Sequence, residues 1–125
     1  MELTIEMGKK HTDLSFIREN SFNNNEFIVE MIMLFLTTTP IMLEEIHTQA
    51  AKHDWEKLSQ AAHKLKAQVQ TFGVNEAYTL LDKIETACAN AQDETAIKEM
   101  VDKARSICHT AMTELRADLD TIKGN

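Results

Sequence analysis

Apolar positions in this chain recur at three- and four-residue intervals from about residue 13 onward, and nowhere alternate as they would along a strand. The clearest stripe is Leu58, Ala62, Leu65, Val69 and Phe72, which at about 100° per residue falls within roughly 40° of one line. An amphipathic helix is predicted there. Asp54 sits in front of Trp55 and Glu56 as a cap whose carboxylate meets the positive end of the helix dipole. Gly73 stands where the pattern stops, as a left-handed C-terminal residue should. Asn75 is then expected to cap a helix with Ala77, Leu80, Leu81, Ile84, Ala87 and Cys88 inward. After a break at Asn90, Ala91 and Gln92, Asp93 caps a last helix with Ile97, Val101, Ala104, Cys108, Ala111, Leu115 and Ile122 inward.

Upstream the pattern is less regular. Residues 1–11 carry no clear period and are expected to fray. Asp13 to Glu19 reads as a short helix, and Asn20 to Asn25 as a polar break with Phe22 as its apolar pin, together forming a lid over one end of a core. A long helix is predicted from an Asn25 cap to about Lys52, with Phe27, Met31, Leu34, Phe35, Thr38, Met42, Ile46 and Gln49 on its inner line. Pro40 lies inside it and removes a backbone donor, but the apolar phase continues from Leu34 to Ile46, which favours one kinked helix over two. Its first half is apolar on nearly every side, with Ile28, Val29, Ile32, Met33 and Leu36 added to the inner line. Either the lid packs on that excess or it is an exposed docking surface. Short connections make consecutive helices antiparallel, so the expected fold is all-α: an up-down four-helix bundle with a short additional N-terminal helix, one domain over residues 1–125.

Composition narrows the partners. The formal charge of −7 opposes binding to nucleic acid or an anionic membrane, because phosphate neutralisation needs clustered cations. The longest uninterrupted apolar run, Met31 to Leu36, is far short of a membrane span, and the start lacks a basic leader with an apolar stretch behind it. No direct membrane insertion is expected. The two cysteines, Cys88 and Cys108, both fall in helical apolar patterns and read as reduced thiols, which places the chain in the cytoplasm.

A di-metal bundle needs Glu-x-x-His pairs on two helices; Glu44 and His47 form one, and His11, His53, His63 and His109 have no Glu three residues before them, so no metal site is expected. Neither cysteine has a cationic setting that would make it a nucleophile. Gly8, Gly73 and Gly124 lie too far apart for a phosphate-cradling loop, so no ATP binding, and no kinase activity of its own, is visible. His63 is different. It lies about 140° from the centre of the apolar stripe, sharing an outer face with Lys66, Ala67 and Gln70 at i+3, i+4 and i+7. An exposed imidazole is a neutral nucleophile for much of the time at pH 7, and a lysine one turn away can neutralise an incoming phosphoryl group.

His63-Lys64-Leu65-Lys66 followed by Gly73 resembles the His-x-Leu-Lys-Gly, six residues, Gly pattern of histidine-containing phosphotransfer (HPt) domains, with His and Gly at the same spacing. The likeness extends from Asp13-Leu14-Ser15-Phe16 through Phe27 to Ile46, Asp54-Trp55 and Ala62-His63, to Leu81 to Glu85. It implies a phosphorelay intermediate that takes a phosphoryl group from a receiver-domain aspartate and passes it to another, the receivers supplying Mg²⁺ and the acid pocket, with no cofactor of its own and the domain monomeric. Carried over, His63 is the phospho-acceptor, Lys66 the phosphate-steadying cation, and Ala67 and Lys64 part of the receiver-docking face. Glu85 matches the place from which the family presents a Gln or Glu to the acceptor ring; Gln70 is equally placed by helix geometry. The chain departs from the pattern at Ala67, commonly glycine, and at Gln68, commonly serine or alanine. The competing reading is a non-catalytic helical adaptor that binds a protein through the apolar Ile28 to Leu36 surface.

Overall fold

A computed structural model describes residues 11–90 and 93–124. The expected fraying of residues 1–10 and the break at Ala91 and Gln92 lie outside them. The described chain forms α1 (Ser15–Asn20), α2 (Asn25–Ala51), α3 (Trp55–Thr71), α4 (Asn75–Ala89) and α5 (Glu94–Lys123). The four long helices pack in a closed ring, α2 on α3, α3 on α4, α4 on α5 and α5 back on α2, as short connections between antiparallel neighbours require.

The stripes of α3, α4 and α5 meet in one core. Leu58, Ala62, Leu65, Val69 and Phe72 are all buried, as are Ala77, Leu81, Ile84, Ala87 and Cys88 across from them; Leu80 is only half-buried. Every inward residue expected of α5 is buried, joined by Ile107 and Met112.

In α2 the inner line is displaced. The buried positions are Ile28, Ile32, Phe35, Thr39, Leu43, Ile46, Gln49 and Ala50. Phe27 and Leu34, expected inward, are 43% and 54% exposed, and Met31, Thr38 and Met42 are half-buried. The surface proposed from Ile28 to Leu36 is therefore mostly core, since Ile28, Ile32 and Phe35 are buried and Val29 and Leu36 pack against them. The side chains left in solvent in that stretch are Glu30, Met33 and Leu34, with Phe27 exposed just before it. By length and mean hydropathy (1.6) α2 is apolar enough to cross a membrane, but its buried line packs in the bundle. The helix runs unbroken through Pro40; Thr37 and Thr38 hydroxyls donate to the carbonyls of Met33 and Leu34 one turn back.

The lid is pinned differently from expectation. Ile17 of α1 is buried, whereas Phe22 is 92% exposed at φ 54°, beside Asn23 at φ 60°. Asp13 precedes α1 rather than starting it, its carboxylate accepting from the Ser15 N–H. His11, expected to fray, is held: its N–H and Nδ1, with the N–H and hydroxyl of Thr12, converge on the Glu114 carboxylate at 2.9–3.1 Å. Burial pushes the Glu114 pKa up, but these hydrogen bonds outweigh it and leave the group below its ordinary value.

Candidate functional site

Asp54 caps α3 as expected, its carboxylate accepting from the Lys57 N–H at 3.1 Å. At the other end Gly73 adopts φ +68°. The Gly73 N–H reaches the Gln70 carbonyl and the Val74 N–H reaches the Val69 carbonyl, closing the helix with a left-handed turn. A Cβ at Gly73 would stand 2.6 Å from Asp13 Cβ and 2.8 Å from Asp13 O, so the strap before α1 crosses where only glycine fits. There the Asp13 N–H donates to the Phe72 carbonyl at 2.8 Å. Gly73 thus sets where α3 ends and where α4 begins. The Asn75 cap is corrected by this turn: Asn75 lies inside α4, Val74 holds the N-cap position, and no side chain caps the helix. On α2 the cap is Asn24 rather than Asn25, accepting from the Phe27 N–H.

Between these ends α3 turns Ala61, Leu65 and Val69 inward and leaves His63, Lys64, Ala67 and Gln70 exposed. The His63 side chain is 71% exposed, and its Nδ1 lies 3.2 Å from Glu85 Oε2 on α4. A carboxylate can only accept, so this contact is a hydrogen bond when Nδ1 carries the proton, and in the neutral ring Nε2 then keeps the free lone pair. The ring bonds to Glu85 and not to Gln70, whose side chain points to solvent on the same helix. His63, Glu85, Ser59, Gln60 and Lys64 line an open depression of about 370 Å³.

Lys66 points the other way along α4. Its Nζ is 2.8 Å from Glu85 Oε1 and 3.0 Å from Asp82 Oδ1; the Asp82 contact has hydrogen-bond geometry, and the Glu85 contact is a close ion pair. The Tyr78 ring lies beneath, 5.6 Å from Nζ. Glu85 first and Asp82 second hold the ammonium's pKa above lysine's usual value. Glu85 therefore joins His63 to Lys66, one carboxylate oxygen to each.

Two features were not foreseen. Asp82 is one, although Tyr78, Asp82 and Glu85 at i, i+4 and i+7 share a face of α4, which is a readable signal. The other is Gln68, which donates to Thr39 Oγ1 at 2.6 Å and has its Oε1 3.1 Å from the Thr38 hydroxyl, whose one proton it shares with the Leu34 carbonyl, tying α3 to α2. Thr39 is fully buried, so this amide satisfies a hydroxyl that would otherwise lie unpaired in the core. His47 of the Glu-x-x-His pair faces Arg105, 3.2 Å from Nη1, and no metal-binding cluster occurs among the described residues. Burial pushes the Cys108 thiol up to about 12, and burial with the Glu85 charge raises Cys88.

No curated protein and no solved structure matches the chain at a significant level. A family model described as the Hpt domain matches residues 30–125, from the first turns of α2 to the end of α5. The match takes in His63, Lys66, Gly73, Asp82 and Glu85, and the helical bundle is the fold of that family. Hpt domains act generally in phosphorelay histidine phosphotransfer and interact with receiver domains, and this chain belongs to the Hpt domain family.

Proposed function

We propose that the chain is a phosphorelay intermediate in which His63 accepts a phosphoryl group from a receiver aspartate and hands it to a second receiver. The observation that carries this reading is the Glu85 carboxylate, which takes the His63 Nδ1 with one oxygen and the Lys66 ammonium with the other. In the forward step the Nε2 lone pair attacks phosphorus, the aspartyl oxygen–phosphorus bond breaks, and its electron pair stays on the receiver carboxylate. The Nδ1 proton remains in place, so the ring becomes an imidazolium whose new charge faces Glu85. No proton need enter or leave. Lys66 steadies the phosphoryl charge, while the receiver brings the Mg²⁺ and acid pocket.

Transfer of this kind asks for positioning and charge neutralisation, which suits an exposed helix face better than a deep cavity. Ala67 and Lys64 flank His63 on that face and belong to the receiver's footprint; the methyl of Ala67 is the smallest side chain that still leaves α3 a strong helix former. The domain works as a monomer in the cytoplasm, without a cofactor or metal of its own, and it meets receivers of response regulators or hybrid sensor kinases. Mixing it with a labelled, phosphorylated receiver tests the reading. Label should leave the receiver and appear on this chain; a chain that binds the receiver and acquires no label would be an adaptor.

A further inference from the structure

Lys66 has one ammonium and more partners than it can keep once a phosphoryl group arrives. In the unphosphorylated site it hydrogen-bonds to Asp82 and pairs with Glu85, so one positive charge is shared by two negative ones next to the acceptor. A phosphoryl group on His63 would place about −1.5 to −2 charges, partly offset by the imidazolium ring, on oxygens that compete for the same N–H donors. The two carboxylates are not equally able to release the lysine. Glu85 is 22% exposed and already fixed to His63, whereas Asp82 is 59% exposed and regains water at little cost.

We propose that Asp82 is a positioning residue that parks Lys66 when His63 is unphosphorylated and competes with the phosphoryl group for it, thereby lowering the hold of His63 on phosphate. The inference rests on the phosphotransfer reading above. On this account phosphorylation exchanges the Asp82 contact of Lys66 for a phosphoryl contact while Glu85 stays on the His63 ring. Each time the phosphate leaves, Asp82 takes the lysine back. The consequence is directional. Asp82 makes the phosphorylated domain a better donor and a poorer store.

The test is a partition experiment. Wild-type chain, charged chemically with phosphoramidate, is mixed with uncharged Asp82→Asn chain and a trace of a receiver that exchanges phosphate with both. The phosphate on each protein is read at equilibrium by intact mass, with the wild-type chain ¹⁵N-labelled so that the two proteins separate. Because the receiver only catalyses exchange, the ratio reports the two histidines alone. Asp82→Asn should hold about 2- to 5-fold more phosphate than wild type at low salt, falling towards parity near 0.5 M salt. Asp82→Glu should restore parity. When both chains also carry Lys66→Ala, the preference should largely disappear. Parity between wild type and Asp82→Asn at low salt, or a preference undiminished in the Lys66→Ala pair, would overturn the parking role while leaving the phosphotransfer reading intact. A wild-type chain that takes no phosphate on His63 would overturn both.

Discussion

Replacing Gly73 by alanine separates two explanations for a glycine ten residues after His63. One is that it gives the phosphoryl group or the receiver room; the other is that the fold requires it. At φ +68° an L side chain costs about 1 to 2 kcal/mol, and the new Cβ would overlap Asp13, 2.6 Å from its Cβ and 2.8 Å from its carbonyl oxygen. The collision is with backbone as well as side chain, so the strap must move as a unit, an overpacking cost of about 1 to 3 kcal/mol. Together the variant should lose about 2 to 5 kcal/mol, a fall of roughly 8 to 20 °C in Tm for a domain of this size. His63 lies about 15 Å up the same helix, outside the reach of that strain. Phosphotransfer per folded molecule should therefore stay within about twofold of wild type when measured well below the lowered Tm. Urea and thermal melts give the first quantity, and label transfer at 15 °C the second. A loss below about 0.5 kcal/mol, or a large fall in transfer by fully folded protein, would refute the structural role.

Ala67→Arg should block transfer in both directions while changing stability by less than about 0.5 kcal/mol, because the site is exposed and arginine favours helix; unchanged transfer would move the docking face elsewhere. Lys66→Ala should slow transfer by about 10- to 100-fold, and a wild-type rate would reduce the lysine to an ordinary surface charge. Glu114 has a lowered pKa in the folded state, so its contribution is present above the ordinary glutamate range and is lost as pH falls through the folded value. Urea melts of Glu114→Gln should accordingly show a deficit against wild type at pH 7 that shrinks in acid, and a deficit independent of pH would show that the carboxylate's charge is irrelevant to holding His11 and Thr12.

The exposed face of α3 was legible because the helix alternates cleanly between apolar and polar sides, so the phase of its stripe leaves no choice about where His63 points. The same method slipped on α2, whose first half is apolar all round. The expected line through Phe27, Met31, Thr38 and Met42 lies one residue before the true one through Ile28, Ile32, Thr39 and Leu43, and the two coincide only at Phe35, Ile46 and Gln49. Between Thr38 and Thr39 the decision rests on Gln68, whose amide on another helix donates to the fully buried Thr39 hydroxyl. Phe22 illustrates the limit of hydrophobicity as a guide. In the loop before α2 it points to solvent, while Ile17, carried by a helical turn, reaches the core. Glu85 and Gln70 could not be ranked from helix geometry alone, because the choice depends on α4 lying against α3. Asp82 is hidden in the sequence for a similar reason: it meets Lys66 only because α4 lies against α3.

Phosphotransfer through this site requires a bond between phosphorus and His63 Nε2. Charging the ¹⁵N-labelled chain with phosphoramidate or a phosphorylated receiver and recording ³¹P and imidazole ¹⁵N spectra reads that bond directly. The account predicts a single phosphohistidine, acid-labile and base-stable, on Nε2 of His63, and none in a His63→Gln chain that melts like wild type. Phosphate on Nδ1, or on another residue of the His63→Gln chain, would contradict it.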